Sequence, residues 1–175
     1  MAVAYFLFGL GYVITATFLI DIVRSTPAIR PVEPYAWVLV GLGAAPSVLL
    51  WTAVGRRIGL LRAFAAACVV EALGVLASVL WLQTAGVVVA ALCLGGTFMG
   101  LTALGLIAAR EAGDGDPRGR IALMTAAFGL GQIIGPVFAG LVYDATGSLV
   151  GPSVAAAAGL VVAAGLALLA GRRTA

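Results

Sequence analysis

Six long apolar stretches dominate this sequence. They cover about residues 3–20, 35–54, 60–82, 86–109, 121–143 and 149–170. Each is close to the roughly 20 apolar residues that an α-helix needs to cross a bilayer, where the backbone must satisfy its own hydrogen bonds. The pattern therefore predicts an all-α membrane protein, a single six-helix transmembrane domain over residues 1–175.

A short basic hairpin joins the second stretch to the third. Its residues are Gly55, Arg56, Arg57, Gly59 and Arg62, interrupted only by apolar side chains. Two membrane-length helices joined this closely are expected to be antiparallel and in contact. Arginine is costly at the bilayer centre but favoured at the cytoplasmic boundary, so the hairpin predicts which way up the chain lies.

The other arginines support the same orientation. With six spans, one side collects eight of the ten basic residues, and the other side collects Arg24 and Arg30. The eight are Arg56, Arg57, Arg62, Arg110, Arg118, Arg120, Arg172 and Arg173. This bias predicts a multi-pass protein of the cell (inner or plasma) membrane with both termini cytoplasmic. Because these arginines lie in loops, we interpret them as topology signals that contact lipid headgroups, and expect no nucleic-acid partner.

Composition argues against several other classes of protein. Charged residues make up only 10% of the chain, and histidine is absent. A Ser-His hydrolase, haem ligation through imidazole and most zinc chemistry are thereby disfavoured. The acidic loop over residues 110–120 lacks the order of an EF-hand, so we expect a solvated connection, with no metal and no cofactor. Cys68 and Cys93 fall within apolar runs and suit packing better than a disulfide.

Glycine and proline indicate how the helices pack. Gly96 and Gly100 are four residues apart, as are Gly131 and Gly135. Small residues at this spacing let membrane helices approach closely. Pro46 and Pro136 lie inside the second and fifth stretches, where each frees a carbonyl and is expected to kink its helix. Bent, close-packed helices suit a bundle that rocks.

Few polar side chains lie inside the spans. Glu71 is the one acidic residue deep in an apolar run, and it is either a proton-coupling carboxylate or a structural group paired with an interior donor. Arg62, nine positions away, is roughly 13 Å distant along one helix, which disfavours a direct bond. Gln132 offers a donor and an acceptor, either to a ligand or to a neighbouring helix.

Hydroxyl groups share one face of the first stretch. Tyr5, Tyr12 and Thr15 are spaced by seven and three residues, so they line either an aqueous path or a contact with neighbouring helices. Asp21 and Arg24 are three residues apart, and we expect a boundary ion pair. The three tryptophans, Trp37, Trp51 and Trp81, are near span ends, which predicts interfacial anchoring.

These features together resemble one half of a major facilitator superfamily (MFS) transporter. Gly9-Leu-Gly-Tyr-Val-Ile-Thr-Ala-Thr-Phe-Leu19 resembles the start of the seventh helix in YbfB/YjiJ-type members. Gly129-Leu-Gly-Gln-Ile-Ile-Gly-Pro-Val-Phe-Ala-Gly140 is similar to their eleventh. The resemblance covers essentially the whole chain and corresponds to the C-terminal six-helix half.

The hairpin departs from the loop motif of that superfamily. Arg56 replaces the acid, Arg57 matches the basic position, and Leu60 and Leu61 replace the closing basic residues. Thr52 stands where the first glycine is expected. The resemblance therefore does not extend to the charge contact that this motif implies at a cytoplasmic gate, because the acid is missing here.

The resemblance implies which helices face a substrate. Spans one and four, with parts of two and five, would line a central cavity, and spans three and six would face outward. Glu71 would then be disfavoured as a substrate ligand. The substrate-cavity candidates become Tyr5, Tyr12, Thr15, Thr97 and Gln132.

The resemblance also implies a partner, because six helices supply one wall of such a cavity. We therefore expect either a missing N-terminal six-helix half or a second copy of the chain. Transport of a small-molecule substrate by alternating access is the favoured function, and a non-transporting scaffold or assembly partner is the alternative. An intramembrane enzyme is disfavoured by the absence of histidine and of paired carboxylates.

Overall fold

The computed structural model describes residues 1–113 and 116–172, and this part of the chain contains six long α-helices. They are α1 (Ala2–Ser25), α2 (Glu33–Ile58), α3 (Leu60–Leu80), α4 (Thr84–Glu111), α5 (Pro117–Thr146) and α6 (Val150–Arg172). All six are long and apolar enough to cross a membrane. The prediction of an all-α membrane bundle is confirmed. Asp114 and Gly115 of the acidic loop, and Arg173 of the basic set, lie outside the described residues.

The hairpin is shorter than the sequence suggested. Helix α2 continues through Arg56 and Arg57, so a single residue, Gly59, separates it from α3. Gly59 has φ 94° and donates its N–H to the Gly55 carbonyl at 2.9 Å. A positive φ is open to glycine without the steric cost that a Cβ would add. The reversal of the chain at this end of the bundle therefore depends on Gly59.

The helices form two layers. In one layer α2 packs against α4, and α5 packs against α1. In the other layer α3 and α6 pack on each other, with α3 also on α4 and α6 also on α1. Exchanging the first three helices with the last three reproduces these main contacts, which is the arrangement of two three-helix repeats. The hairpin helices α2 and α3 do contact each other, but α2 packs most extensively on α4.

Glycine explains why α2 lies on α4. A Cβ added at Gly95 would overlap the Val40 carbonyl oxygen, and one at Gly43 would come within 2.9 Å of the Gly96 nitrogen. The two backbones therefore touch where both helices lack side chains. The backbone of Gly96, which the sequence suggested for packing, takes part in this contact, but a Cβ on Gly96 would meet nothing within 4 Å. The position on α4 that must lack a side chain is therefore Gly95.

Two side chains of α2 bind the backbone of α4. Trp51 donates its indole N–H to the Gly96 carbonyl at 2.7 Å, and Ser47 accepts from the Gly100 N–H at 2.9 Å. Trp51 is only 8% exposed, so the prediction that it anchors the chain at the interface is wrong. Gly100 leaves room for the indole ring, which approaches closer than a Cβ would permit. Trp37 and Trp81 are exposed.

Arg120 caps the end of α4. Its guanidinium donates to the carbonyls of Ala109 at 2.9 Å and of Arg110 and Gly113 at 3.4 Å each. The last carbonyls of a helix have no partner inside the helix, so a cation there both bonds them and complements the helix dipole. We expect Arg120→Gln to lower the free energy of unfolding by about 1 kcal/mol.

The matched control is Arg118→Gln, because Arg118 is an exposed arginine two residues earlier in the same helix. Unfolding of both variants in detergent, monitored by circular dichroism, measures the difference in their free energies of unfolding. Equal stabilities would contradict the capping role of Arg120.

Candidate functional site

An aromatic and polar group joins α1, α4 and α5 at the middle of each helix. The Tyr12 ring stacks on Phe98, with centroids 4.7 Å apart, and on Phe128, with centroids 5.7 Å apart. The Tyr12 hydroxyl accepts a hydrogen bond from the Gln132 side-chain amide. Phe98, Phe128 and Gln132 are partly exposed, so this group reaches the surface of the bundle. We call these four residues the Tyr12 group.

Proline adds a further acceptor beside this group. Pro136 has no N–H to donate to the carbonyl four residues earlier, which belongs to Gln132. An amide side chain has two N–H donors and an oxygen, and the bond to Tyr12 engages one of the donors. Gln132 therefore has a side-chain amide with hydrogen-bonding capacity to spare. Its main-chain carbonyl also lacks the usual helical partner, and both groups suit hydrogen bonding to a polar ligand.

Tyr5 lies deeper in the bundle than Tyr12. It is 1% exposed, and its hydroxyl donates to the Thr102 carbonyl at 3.0 Å. Its ring contacts Phe8, Phe64 and Phe128, and Gly105 provides the space for it on α4. Of the two roles left open for this hydroxyl, bonding to a neighbouring helix is the one it performs.

The remaining cavity candidates are also buried. Thr15 is buried, and its hydroxyl oxygen has no hydrogen-bond partner among the described residues. Thr97 is 1% exposed and faces α3 rather than the Tyr12 group. The structure thus brings together Tyr12 and Gln132, but not all five predicted residues.

Sequence reasoning did not single out the phenylalanines of this region. Phe8 contacts Tyr5, Tyr12, Phe64 and Phe128 and is fully buried. Its spacing of three from Tyr5 and four from Tyr12 places it on their helix face, and this was the available signal. Phe98 and Phe128 come from other helices, so only the fold could show that they belong to the same group.

Glu71 and Thr97 form a second polar contact, between α3 and α4. Glu71 is 1% exposed, and its Oε2 contacts the Thr97 hydroxyl. The other carboxyl oxygen, Oε1, has no hydrogen-bond partner in the described part of the chain. Arg62, considered above as a donor, is exposed at the start of α3. The partner of Glu71 is thus a hydroxyl on a neighbouring helix.

The predicted ion pair between Asp21 and Arg24 is replaced by another pair. Arg24 donates to Glu33 Oε1 from Nε at 2.9 Å and from Nη2 at 2.6 Å, which ties the end of α1 to the start of α2. Both guanidinium donors bond the same carboxylate oxygen, and each bond is charge-assisted. Asp21 and Arg24 instead line a cavity of about 310 Å³ with Phe18, Ser25, Tyr143 and Leu149.

The bond between Tyr12 and Gln132 can be measured by a double-mutant cycle. We expect Tyr12→Phe and Gln132→Leu each to lower stability by about 1 kcal/mol, with a coupling energy of about 0.6–1.7 kcal/mol. Denaturant unfolding in mixed micelles of the two single variants and the double variant gives this coupling energy. Strictly additive effects would show that the two side chains do not stabilise the bundle through this bond.

Comparison with known proteins identifies the family. The family model described as "Uncharacterised MFS-type transporter YbfB" matches residues 1–168, which is nearly the whole chain. Searches of curated proteins and of solved structures gave no match. The resemblance inferred from the glycine-rich segments of α1 and α5 is confirmed, and this multi-pass membrane chain belongs to the family of MFS-type transporters represented by YbfB.

Proposed function

We propose that this chain moves a small solute across the membrane by alternating access, as one half of a secondary transporter. The Tyr12 group is the observation that carries the proposal. It combines stacking faces, a hydroxyl and an amide at the middle of α1, α4 and α5. Substrate sites of secondary transporters lie near the bilayer midplane, where such side chains can replace the water around a solute.

The exposed faces of α2 and α5 support the need for a second bundle. Only four of the 26 residues of α2 are buried, and only four of the 30 residues of α5. Their buried residues form narrow stripes, and the rest of each helix exposes large apolar side chains such as Leu49 and Leu141. Lipid covers part of these faces, and we propose that an N-terminal six-helix half or a second copy covers the part beside the Tyr12 group.

The packing also supports rocking of the bundle as a unit. The contacts between α2 and α4 and between α1 and α5 use glycine and backbone atoms, so each pair is held at close range. If the α2–α4 pair and the α1–α5 pair each move as a rigid body, movement at one membrane surface is transmitted to the other surface. Alternating access needs such rigid-body movement around a site that stays in place.

Orientation is a separate part of the proposal. We propose that both termini are cytoplasmic in the cell membrane, because the basic residues of the hairpin and of the segment after α4 share one side. We expect a cysteine at Arg118→Cys to be protected from a membrane-impermeant maleimide in intact cells and labelled after permeabilisation. Arg30→Cys, on the opposite side, is the control and should be labelled in intact cells. The reverse pattern would overturn the orientation.

Transport is tested on the complete assembled protein. A thermal-stabilisation screen of small solutes identifies a ligand, and its flux into proteoliposomes is then measured. We expect Gln132→Ala and Tyr12→Phe each to reduce flux about tenfold, since one lost hydrogen bond of about 1.4 kcal/mol changes an equilibrium by that factor. Gln83→Ala, in the exposed turn before α4, is the control and should leave flux unchanged.

A scaffold is the second candidate function, and the broad apolar faces of α2 and α5 favour it. A scaffold needs those faces but has no use for the Tyr12 group. If the folded, assembled protein is stabilised by none of the solutes and catalyses no flux, the transport proposal is contradicted and the scaffold is supported.

A further inference from the structure

The hydrogen atoms around Glu71 can be counted. The Thr97 hydroxyl oxygen contacts two acceptor oxygens, Glu71 Oε2 and the Cys93 carbonyl, the latter at 2.6 Å. A hydroxyl carries one hydrogen, so it donates to only one of these oxygens. The carbonyl has no hydrogen to offer, and two oxygens at 2.6 Å without a hydrogen between them repel. If Thr97 donates to Cys93, the contact with Glu71 requires a hydrogen on the carboxyl group.

The surroundings of Glu71 lead to the same conclusion. The carboxyl group is buried, and Arg24–Glu33 is the one ion pair found among the described residues. An isolated carboxylate in an apolar interior is strongly disfavoured, and adding a proton removes its charge. The carboxylic acid then donates a hydrogen bond from Oε2 to Thr97, and Oε1 becomes a neutral carbonyl oxygen. Leaving a neutral oxygen without a hydrogen-bond partner costs much less free energy than leaving a charged oxygen without one.

The ionisable groups near Glu71 are all neutral in their ordinary forms. They are Cys68 on α3, Cys93 on α4 and Tyr12 on α1, each within electrostatic range of the carboxyl group. The described charged residues of α2, α4, α5 and α6 lie at or near the ends of those helices, namely Glu33, Arg56, Arg57, Arg110, Glu111, Arg118, Arg120, Asp144 and Arg172. On α1, Asp21 and Arg24 are near the end of the helix, and Arg24 pairs with Glu33. On α3 itself, Arg62 is exposed and nine positions from Glu71. Among the described residues, no cation is therefore paired with Glu71 when its proton leaves.

We propose that Glu71 is a proton-binding site that Thr97 connects to the transport movement. When that movement admits water to Thr97, the O–H bond of the carboxyl group breaks, the proton passes to water, and the electron pair stays on the carboxylate. The Thr97 hydroxyl then turns its hydrogen from the Cys93 carbonyl to the carboxylate. Proton uptake from water on the other side of the membrane reverses these steps.

The contact between α2 and α4 links this site to the rest of the bundle. An α-helix bonds the carbonyl of residue 96 to the N–H of residue 100, and the turn between them carries Thr97. Trp51 of α2 bonds that carbonyl, and Ser47 of α2 bonds that N–H. A movement of α2 is thereby transmitted to the turn that holds Thr97. Phe98, the next residue, stacks on Tyr12, so the same turn also reaches the proposed substrate group.

Infrared spectroscopy of the full chain in lipid bilayers measures directly whether the Glu71 carboxyl group carries a proton. The pH is the only variable, and no solute is added. The sequence has three glutamates, Glu33, Glu71 and Glu111. A Glu33→Gln/Glu111→Gln variant labelled with carbon-13 glutamate leaves Glu71 as the single labelled carboxyl group. We expect a band of a protonated carboxyl group that shifts in heavy water and is lost in Glu71→Gln. A labelled band in the carboxylate region across the accessible pH range would overturn the proposal.

Thr97 provides the matched pair of variants. Thr97→Ser keeps the hydroxyl and should leave the band unchanged, whereas Thr97→Val removes the acceptor and should shift it to the position of a carboxyl group without that hydrogen bond. The same band in both variants would contradict the role of Thr97. Replacing choline chloride with sodium chloride at constant pH should change nothing, and loss of the band in sodium would identify a sodium site instead.

Coupling of this proton to solute movement rests on the proposed transport function. Detection of the proton on Glu71 by infrared spectroscopy does not. Once a solute is known, Glu71→Gln should retain exchange of that solute and lose its accumulation driven by a pH gradient. A titrating band without any flux would contradict the transport function alone. Flux with accumulation intact in Glu71→Gln would contradict proton coupling alone.

Discussion

Replacing Gly95 with alanine should separate α2 from α4 and lower the free energy of unfolding by about 3 kcal/mol. The added methyl group would overlap the Val40 carbonyl oxygen and would lie 3.0 Å from the Ala44 nitrogen. Both are backbone atoms, so no side-chain rotation relieves the clash. Moving the helices apart also strains the bonds from Trp51 to the α4 backbone and from that backbone to Ser47.

The adjacent residue supplies the control. A Cβ at Gly96 meets nothing within 4 Å, so Gly96→Ala should stabilise the helix by about 0.5–1 kcal/mol through reduced backbone entropy in the unfolded state. Denaturant unfolding in mixed micelles, followed by tryptophan fluorescence, compares the two variants. Similar stabilities for Gly95→Ala and Gly96→Ala would contradict the close contact between α2 and α4.

The second large effect is expected at Gly131, where α5 crosses α1. Its Cβ would overlap the Phe6 carbonyl oxygen and would lie 2.7 Å from the Leu10 nitrogen. We expect Gly131→Ala to lower stability by about 2–3 kcal/mol, since α5 has to move away from α1. The same movement pulls Gln132 from Tyr12, so solute flux should fall by at least the tenfold expected for Gln132→Ala.

Gly129→Ala is the matched control on the same helix, because nothing lies within 4 Å of a Cβ at that position. It should keep flux and, like Gly96→Ala, should not lower stability. Thermal unfolding and flux in proteoliposomes, measured on the same preparations, separate the two effects. A stable Gly131→Ala protein with normal flux would show that α5 does not need its close contact with α1.

The elements of the fold were predictable because each follows from local sequence. An apolar run of membrane length forms a helix irrespective of its neighbours, since lipid offers no other partner for the backbone. Gly59 and Gly147 end helices for an equally local reason, the positive φ that each adopts. The extension of α2 through Arg56 and Arg57 was missed because charged residues can remain helical while their side chains reach the interface.

The candidate site was predictable only in part. Tyr12 and Gln132 were selected for their chemistry and by family resemblance, and they are in contact. Thr97 was selected in the same way, yet it bonds Glu71 on α3. Trp51 was expected at the interface, but it contacts α4 because Gly100 leaves space for its ring. In each case the deciding fact is a residue on another helix, far away in the sequence.

The sequence by itself determined the number of helices, the membrane environment and the family, because these depend on hydrophobic length and on short motifs within one segment. The tertiary structure alone decided which side chains meet. In lipid the hydrophobic effect does not determine which faces of two helices pack together. The packing is determined instead by backbone contacts at glycines such as Gly95 and Gly131 and by the few hydrogen bonds between helices. Those contacts set Tyr12 beside Gln132 and Glu71 beside Thr97, which no single stretch of the sequence specifies.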